Sequence, residues 1–213
     1  MTTVWERFQQ TTLHGNVVLN FTSYAKGDLA VYALAYRDAA DTLVAAIKGR
    51  KWYSDVDACP IVFLYRHSIE LYLKAIILWG AGLVRLQSGE TINTDKLFLT
   101  HEFGDLLPPV KRIFKEAGWL GDNCAEPNEG NAKFATFEEI EKLITAFEEI
   151  DPKSFSFRYP VDTKGEASLP EQFHFNVIAL GEETSEMLRK LDGAASGVYE
   201  MFQTMASMAH EMI

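Results

Sequence analysis

The sequence predicts an all-α protein, an antiparallel helical bundle of four to six helices with an irregular loop or small hairpin inserted in it. Three observations predict this. Apolar residues recur every three or four positions through most of the chain, as they do when a helix buries one face. Helix start and stop residues stand at the ends of those stretches, among them Pro60, Gly49, Gly80 and the pair Thr136 and Glu139. Alternating apolar and polar residues, the mark of a half-buried strand, are confined to short segments.

Asp28 is placed to cap a first helix running to about Lys48, with Leu29, Tyr32, Tyr36, Ala40, Leu43, Val44 and Ile47 on one face and Gly49 ending it. Its alanines permit a close-packed neighbour. A second helix enters through Pro60 and leaves at Gly80. From Gly82 to Thr100 the pattern is irregular, and a small hairpin about Ser88-Gly89 is expected. A shorter helix is expected from about Asp105 to Ala117, then a loop from Trp119 to Lys133 rich in Gly, Asn and Asp.

Thr136 and Glu139 form a capping box for a helix to Ile150, with Phe137, Ile140, Leu143, Ile144 and Phe147 inward, and Asp151-Pro152 stops it. Phe155 to Pro160 alternates like a short extended strand, and Asp162 to Gly165 turns the chain. From about Pro170 the pattern is helical to the end. It carries Phe173, Val177, Leu180, Met187, Leu188, Leu191, Val198, Phe202 and Met205 inward, with a bend expected near Gly193 or Gly197.

With 47% hydrophobic and 23% charged residues in a chain of 213, a substantial core can be buried and one domain over residues 1–213 is the simplest organisation. Twenty Lys and Arg against thirty Asp and Glu give a net charge of -10, which repels nucleic acid at long range and leaves room only for a local basic site. No DNA partner is predicted. The opening residues have no cationic stretch followed by an apolar run. The apolar run after Pro60 is broken by charge before it could span a bilayer. A cytoplasmic protein without a membrane partner is therefore expected. Cys59 and Cys124 are too few and too far apart for a disulfide framework or a zinc knuckle, and read as reduced structural thiols.

The most informative stretch is the second helix, apolar nearly all round yet crossed by one polar stripe. At about 100° per residue, Arg66, Glu70, Lys74 and His67 fall within about one quadrant. An apolar helix of this kind is buried, and a buried charge without a partner costs several kcal/mol. These side chains must therefore pair with one another, meet partners from elsewhere, or line a cavity.

Three segments taken in order resemble the HEPN domain family of small helical-bundle proteins. Glu70-Leu-Tyr-Leu-Lys74-Ala75 is similar to the family's second-helix pattern. Thr100-His101-Glu-Phe-Gly-Asp-Leu106-Leu107 resembles the Thr-His-Asp-Leu element that follows it, and Arg158-Tyr159-Pro160 resembles the Arg-Tyr-Pro element after the third long helix. Together they cover roughly residues 28 to 205. The resemblance implies a helical bundle, a homodimer with functional groups near the helical interface, and an association with toxin and antitoxin pairs, RNA cleavage and defence. Family members that cleave RNA without a metal resemble one another in an Arg and a His with about four to six residues between them. Here that pattern fails at the expected place, since the first histidine after Arg158 is His174. Arg7 and His14 match the spacing, but Thr11-Thr12 and Gly15-Asn16 disfavour a regular helix there.

Metal-free RNA cleavage needs a base for the 2'-hydroxyl, an acid for the leaving oxygen and a cation for the developing charge. His67, His101, Arg66 and Arg158 are of the right types. The same residues are explained without catalysis if Arg66 and Glu70 pair within the helix, Lys74 extends the pair, His101 caps a neighbouring helix and Arg158 pins a loop. His67 and Glu70 with His101-Glu102 suggest metal ligands, but Arg66 and Lys74 beside them repel a cation. His101 to Asp105 lacks the second histidine of a zinc-protease helix. Gly80-Ala-Gly82 lacks the rest of a phosphate loop, and there is no Gly-x-Ser-x-Gly elbow. The paired acids Glu138-Glu139, Glu148-Glu149 and Glu182-Glu183 read as solvated helix faces, and Met201, Met205, Met208 and Met212 as core or dimer contacts.

The sequence thus points to a binding or regulatory module, without a cofactor or metal. Its polar pocket is formed by Arg66, His67, Glu70, Lys74, His101, Arg158 and Tyr159, for an anion such as a nucleotide or RNA phosphate. A metal-independent endoribonuclease and a purely structural partner-binding protein remain as alternatives. The last predicts a stripe satisfied from within, with no open cavity beside it.

Overall fold

The structure, a computed structural model, describes residue 17 and residues 25–120, 137–151, 154–169 and 174–211. Among these, five α-helices make the architecture: α1 Leu29–Lys48, α2 Ala58–Ser88, α3 Phe103–Glu116, α4 Phe137–Ile150 and α5 Val177–Glu211. Helix α2 is central and packs against α1, α3 and α5, while α1 also meets α5 and α4 meets α3. The fold is the expected all-α bundle. No helix among the described residues is long and apolar enough to cross a membrane.

Where the local readings fail, tertiary packing is the reason. Helix α2 does not stop at Gly80 but runs through it and Gly82 to Ser88. Both glycines serve close approach instead: a Cβ on Gly80 would stand 2.5 Å from Ile113 of α3, and one on Gly82 would overlap the Phe202 ring of α5. The hairpin expected about Ser88-Gly89 is absent. Gly89 adopts a left-handed φ of 73° and donates to the Arg85 carbonyl, capping the helix.

The buried face of α1 is also rotated from the expected one. Ala33, Ala40, Val44 and Ile47 are inside, whereas Tyr32 is 47% and Leu43 37% exposed. The smaller side chains win because α2 comes close enough for the Ser68 hydroxyl to donate to the Ala33 carbonyl at 2.7 Å. Asp28 ends a short 3-10 turn, Ala25–Asp28, and makes no side-chain cap hydrogen bond. A second polar contact joins three helices: Asp41 of α1 accepts from the Tyr65 hydroxyl of α2 at 2.7 Å and from Ser185 of α5 at 2.8 Å. Burial and this carboxylate push the Tyr65 phenol up from its ordinary pKa.

Residues 155 to 160 form turns rather than the expected strand, with Arg158 and Tyr159 donating back to the Phe155 carbonyl. The Asp162–Gly165 turn is present, with Gly165 at φ 82° and an isolated bridge between Val161 and Ala167. Helix α5 begins at Val177, later than Pro170, because the Asn176 side chain accepts from the backbone N–H groups of Ile178 and Ala179. Thr136 of the capping box, Phe173, Met212, Cys124, Arg7, His14 and most of the loop after Trp119 lie outside the described residues.

Candidate functional site

The stripe on α2 is buried, and most of its partners come from distant segments. Arg66 is 0%, Glu70 2% and Lys74 4% exposed. Arg66 donates through Nε to the Asp151 carbonyl at 3.0 Å and through Nη2 to the His101 carbonyl at 3.1 Å. Its charge faces Glu70 and the Asp151 carboxylate, each at 3.6 Å, and its guanidinium lies 4.3 Å from the Phe103 ring centroid. Burial depresses the Arg66 pKa, and Asp151, Glu70 and Glu148 oppose that shift. An arginine so placed stays charged.

Glu70 Oε1 accepts from Lys74 at 2.8 Å and lies 2.9 Å from Nδ1 of His101. Burial pushes the Glu70 carboxyl up, but the bonds and charges of Lys74 and His101 outweigh it and hold the pKa below its ordinary value. An ionised carboxylate has no proton to give, so His101 Nδ1 donates to it and Nε2 is left for another partner. The His101 side chain is itself 58% exposed. It thus joins a buried carboxylate to the surface.

The end of α4 supplies two acids that organise this arrangement. Glu148 accepts from the backbone N–H groups of Phe103 and Gly104 at 2.8 and 3.2 Å, which caps α3 from another helix and favours its dipole. Asp151 accepts from the N–H groups of Phe155 and Ser156 at 2.6 and 2.9 Å while facing Arg66. One buried guanidinium therefore ties together α2, the entry to α3 and the turn after α4.

The seven residues singled out from the sequence fall into two groups. Arg66, Glu70 and Lys74 are enclosed, their charged ends turned onto one another, onto Asp151 and onto His101. His67 is half-buried between Tyr36, at 4.6 Å between ring centroids, and Phe63, at 5.8 Å. Burial lowers the His67 pKa; Glu70 opposes this, and Lys74, His101 and Arg158 reinforce it. Arg158 is exposed, its guanidinium 5.6 Å from the Phe63 ring centroid, and Tyr159 is 52% exposed with its ring stacked on Phe155. His101 adjoins an open depression of about 430 Å³ lined also by Lys96, Leu99, Thr100, Glu102 and Asp105. Among the described residues no group of three or more His, Cys, Asp or Glu side chains gathers to hold a metal ion.

No family model, curated protein or solved structure matches the chain.

Sequence reasoning missed Asp151, Glu148 and Phe103. Asp151 was legible only as a helix stop before Pro152, and Glu148 only as one of a solvated pair. A compensating acid for Arg66 was required by its burial, but its position in sequence was not.

Proposed function

We propose that this protein is an HEPN-like binding or regulatory module that holds a phosphate-bearing ligand, a nucleotide or RNA, through the exposed side chains His101 and Arg158, with Tyr159 beside them. The observation that carries this reading is the exposed His101 ring held by the buried Glu70 carboxylate next to an open depression. A buried ion network that orients one exposed imidazole presents a donor and a removable proton at a fixed place. Arg158 adds a cation whose charge acts on His67, as does that of His101. Lys96 lines the depression itself, together with the acids Glu102 and Asp105. Membership of a toxin-antitoxin or defence system, and a homodimer, accord with the HEPN resemblance.

A second reading has its own observation. Arg66, Glu70 and Lys74 each have internal partners, as a purely structural role requires, although Glu70 Oε2 meets Arg66 only as a charge contact at 3.6 Å. The test separates them. Anisotropy of a short labelled single-stranded RNA, with inorganic phosphate as competitor, is expected to show binding that weakens at least about tenfold in Arg158→Ala and in His101→Ala, about 1.4 kcal/mol. Binding unchanged in both variants favours the structural role. Incubation of structured RNA with the protein in chelator is expected to leave it intact. Cleavage that disappears in both variants would instead establish a metal-independent endoribonuclease.

A further inference from the structure

A second site lies away from the charged stripe. Between α4 and α5 the structure holds a cavity of about 630 Å³, a size usual for small-molecule sites. Its walls come from five parts of the fold, one of them the segment His174–Phe175 just before α5. Val62 of α2 stands at the back, Leu143, Ala146, Phe147 and Ile150 of α4 on one side, Leu180, Thr184 and Met187 of α5 on the other, and Phe157 closes an edge. These walls are almost wholly apolar. Thr184 is fully buried, and its hydroxyl lacks a hydrogen-bond partner among the described residues. Met187 supplies an unbranched side chain that adapts to the shape of a guest.

The charge around the opening decides the class of guest. Glu139, Glu183 and Glu186 share it with Lys142, Lys190 and His174, so acidic and basic side chains nearly balance. Two of the acids are already engaged, Glu139 with Lys190 at 3.6 Å and Glu186 with Arg189 at 3.3 Å. Such a rim offers little surplus charge to attract an ion, and an ion moved among these walls would lose its hydration without a partner. Helix α4 packs on α3, and Glu139–Lys190 is a partly exposed pair reaching α5, a weak tie at 3.6 Å. The wall facing α5 is thus free to adjust to what it encloses.

We propose that the α4–α5 cavity binds a neutral, mainly apolar small molecule. This site does not rest on the phosphate-binding reading, and either can fail without the other.

The experiment uses the full chain with Nile red, a neutral dye whose emission shifts to the blue in an apolar site. Saturable binding of one dye per chain is expected, with a rise in the melting temperature of the protein. Ala146→Trp and, separately, Leu180→Trp are expected to weaken binding at least tenfold while keeping the helical circular dichroism of the parent. An anionic naphthalene sulfonate dye is expected to bind at least tenfold more weakly than Nile red. The proposal is overturned by absence of saturable binding, by equal binding in both tryptophan variants, or by tighter binding of the anionic dye.

Discussion

Val62 and Arg66 stand one turn apart on the same helix and meet opposite surroundings. Around Arg66 partners crowd in: Asp151 and Glu70 face its charge, the Asp151 and His101 carbonyls accept from Nε and Nη2, and the Phe103 ring covers its flat face. Around Val62 the helix opens onto an apolar cavity between α4 and α5. Arg66, Glu70 and Lys74, which look most like chemistry in the sequence, are enclosed by the fold, while a cavity of about 630 Å³ is lined mainly by residues that look like ordinary core. Charge in a buried helix signals a need for partners before it signals a need for ligand. A cavity, by contrast, is made by the distance between elements, and no residue type announces it.

Breaking the filled side should have the largest effect. Arg66→Ala leaves Glu70 and Asp151 buried beside lost charge, and is expected to lower unfolding stability in denaturant by about 3–5 kcal/mol. A cost below about 1 kcal/mol would mean that water already reaches the stripe. Asp151→Asn removes one charge but keeps the backbone carbonyl that Arg66 Nε uses, so the same measurement is expected to show a smaller loss, about 1–3 kcal/mol.

Acid should sharpen the comparison next. The folded pKa values of Glu70 and His67 both lie below their ordinary values. For each group the folded state resists protonation relative to the unfolded chain. Stability is therefore full above the unfolded pKa and is lost as pH falls toward the folded one. For His67 that loss starts near about pH 6.5, and for Glu70 only below about pH 4.5. Melting temperatures from pH 7 to 5 should fall in the parent and fall less in His67→Phe. Identical slopes would show that His67 does not carry the loss.

The smallest effect is expected on the empty side. Ala146→Trp adds bulk where there is room and should change stability by no more than about 0.5 kcal/mol in either direction. A loss of several kcal/mol would mean that the space is already occupied.

The helical character of the chain was legible because periodicity and stop residues are local. Phe137, Ile140, Ile144 and Phe147 repeat at helical spacing and are all buried. The Asp162–Gly165 turn was legible for the same reason, since its residues favour that geometry themselves. At Gly80 and Gly82 the local signal misled. A glycine both ends helices and admits close neighbours, and only Ile113 and Phe202 decide between the two. Tyr32 and Leu43 were misplaced because hydrophobicity ranked them above alanine, whereas the approach of α2 demanded small residues.

By itself the sequence determined that the protein is helical and that one helix would carry ionisable groups into the interior. It also determined that those groups would need counter-charges, because that need follows from the energy of an ion in a poor solvent whatever surrounds it. Only the tertiary structure decided that Asp151 and the His101 carbonyl answer Arg66, that His101 emerges at the surface, and that α4 leaves a space before α5. These depend on where segments far apart in the chain come to rest, and pairing and void alike are properties of that arrangement rather than of any residue in it.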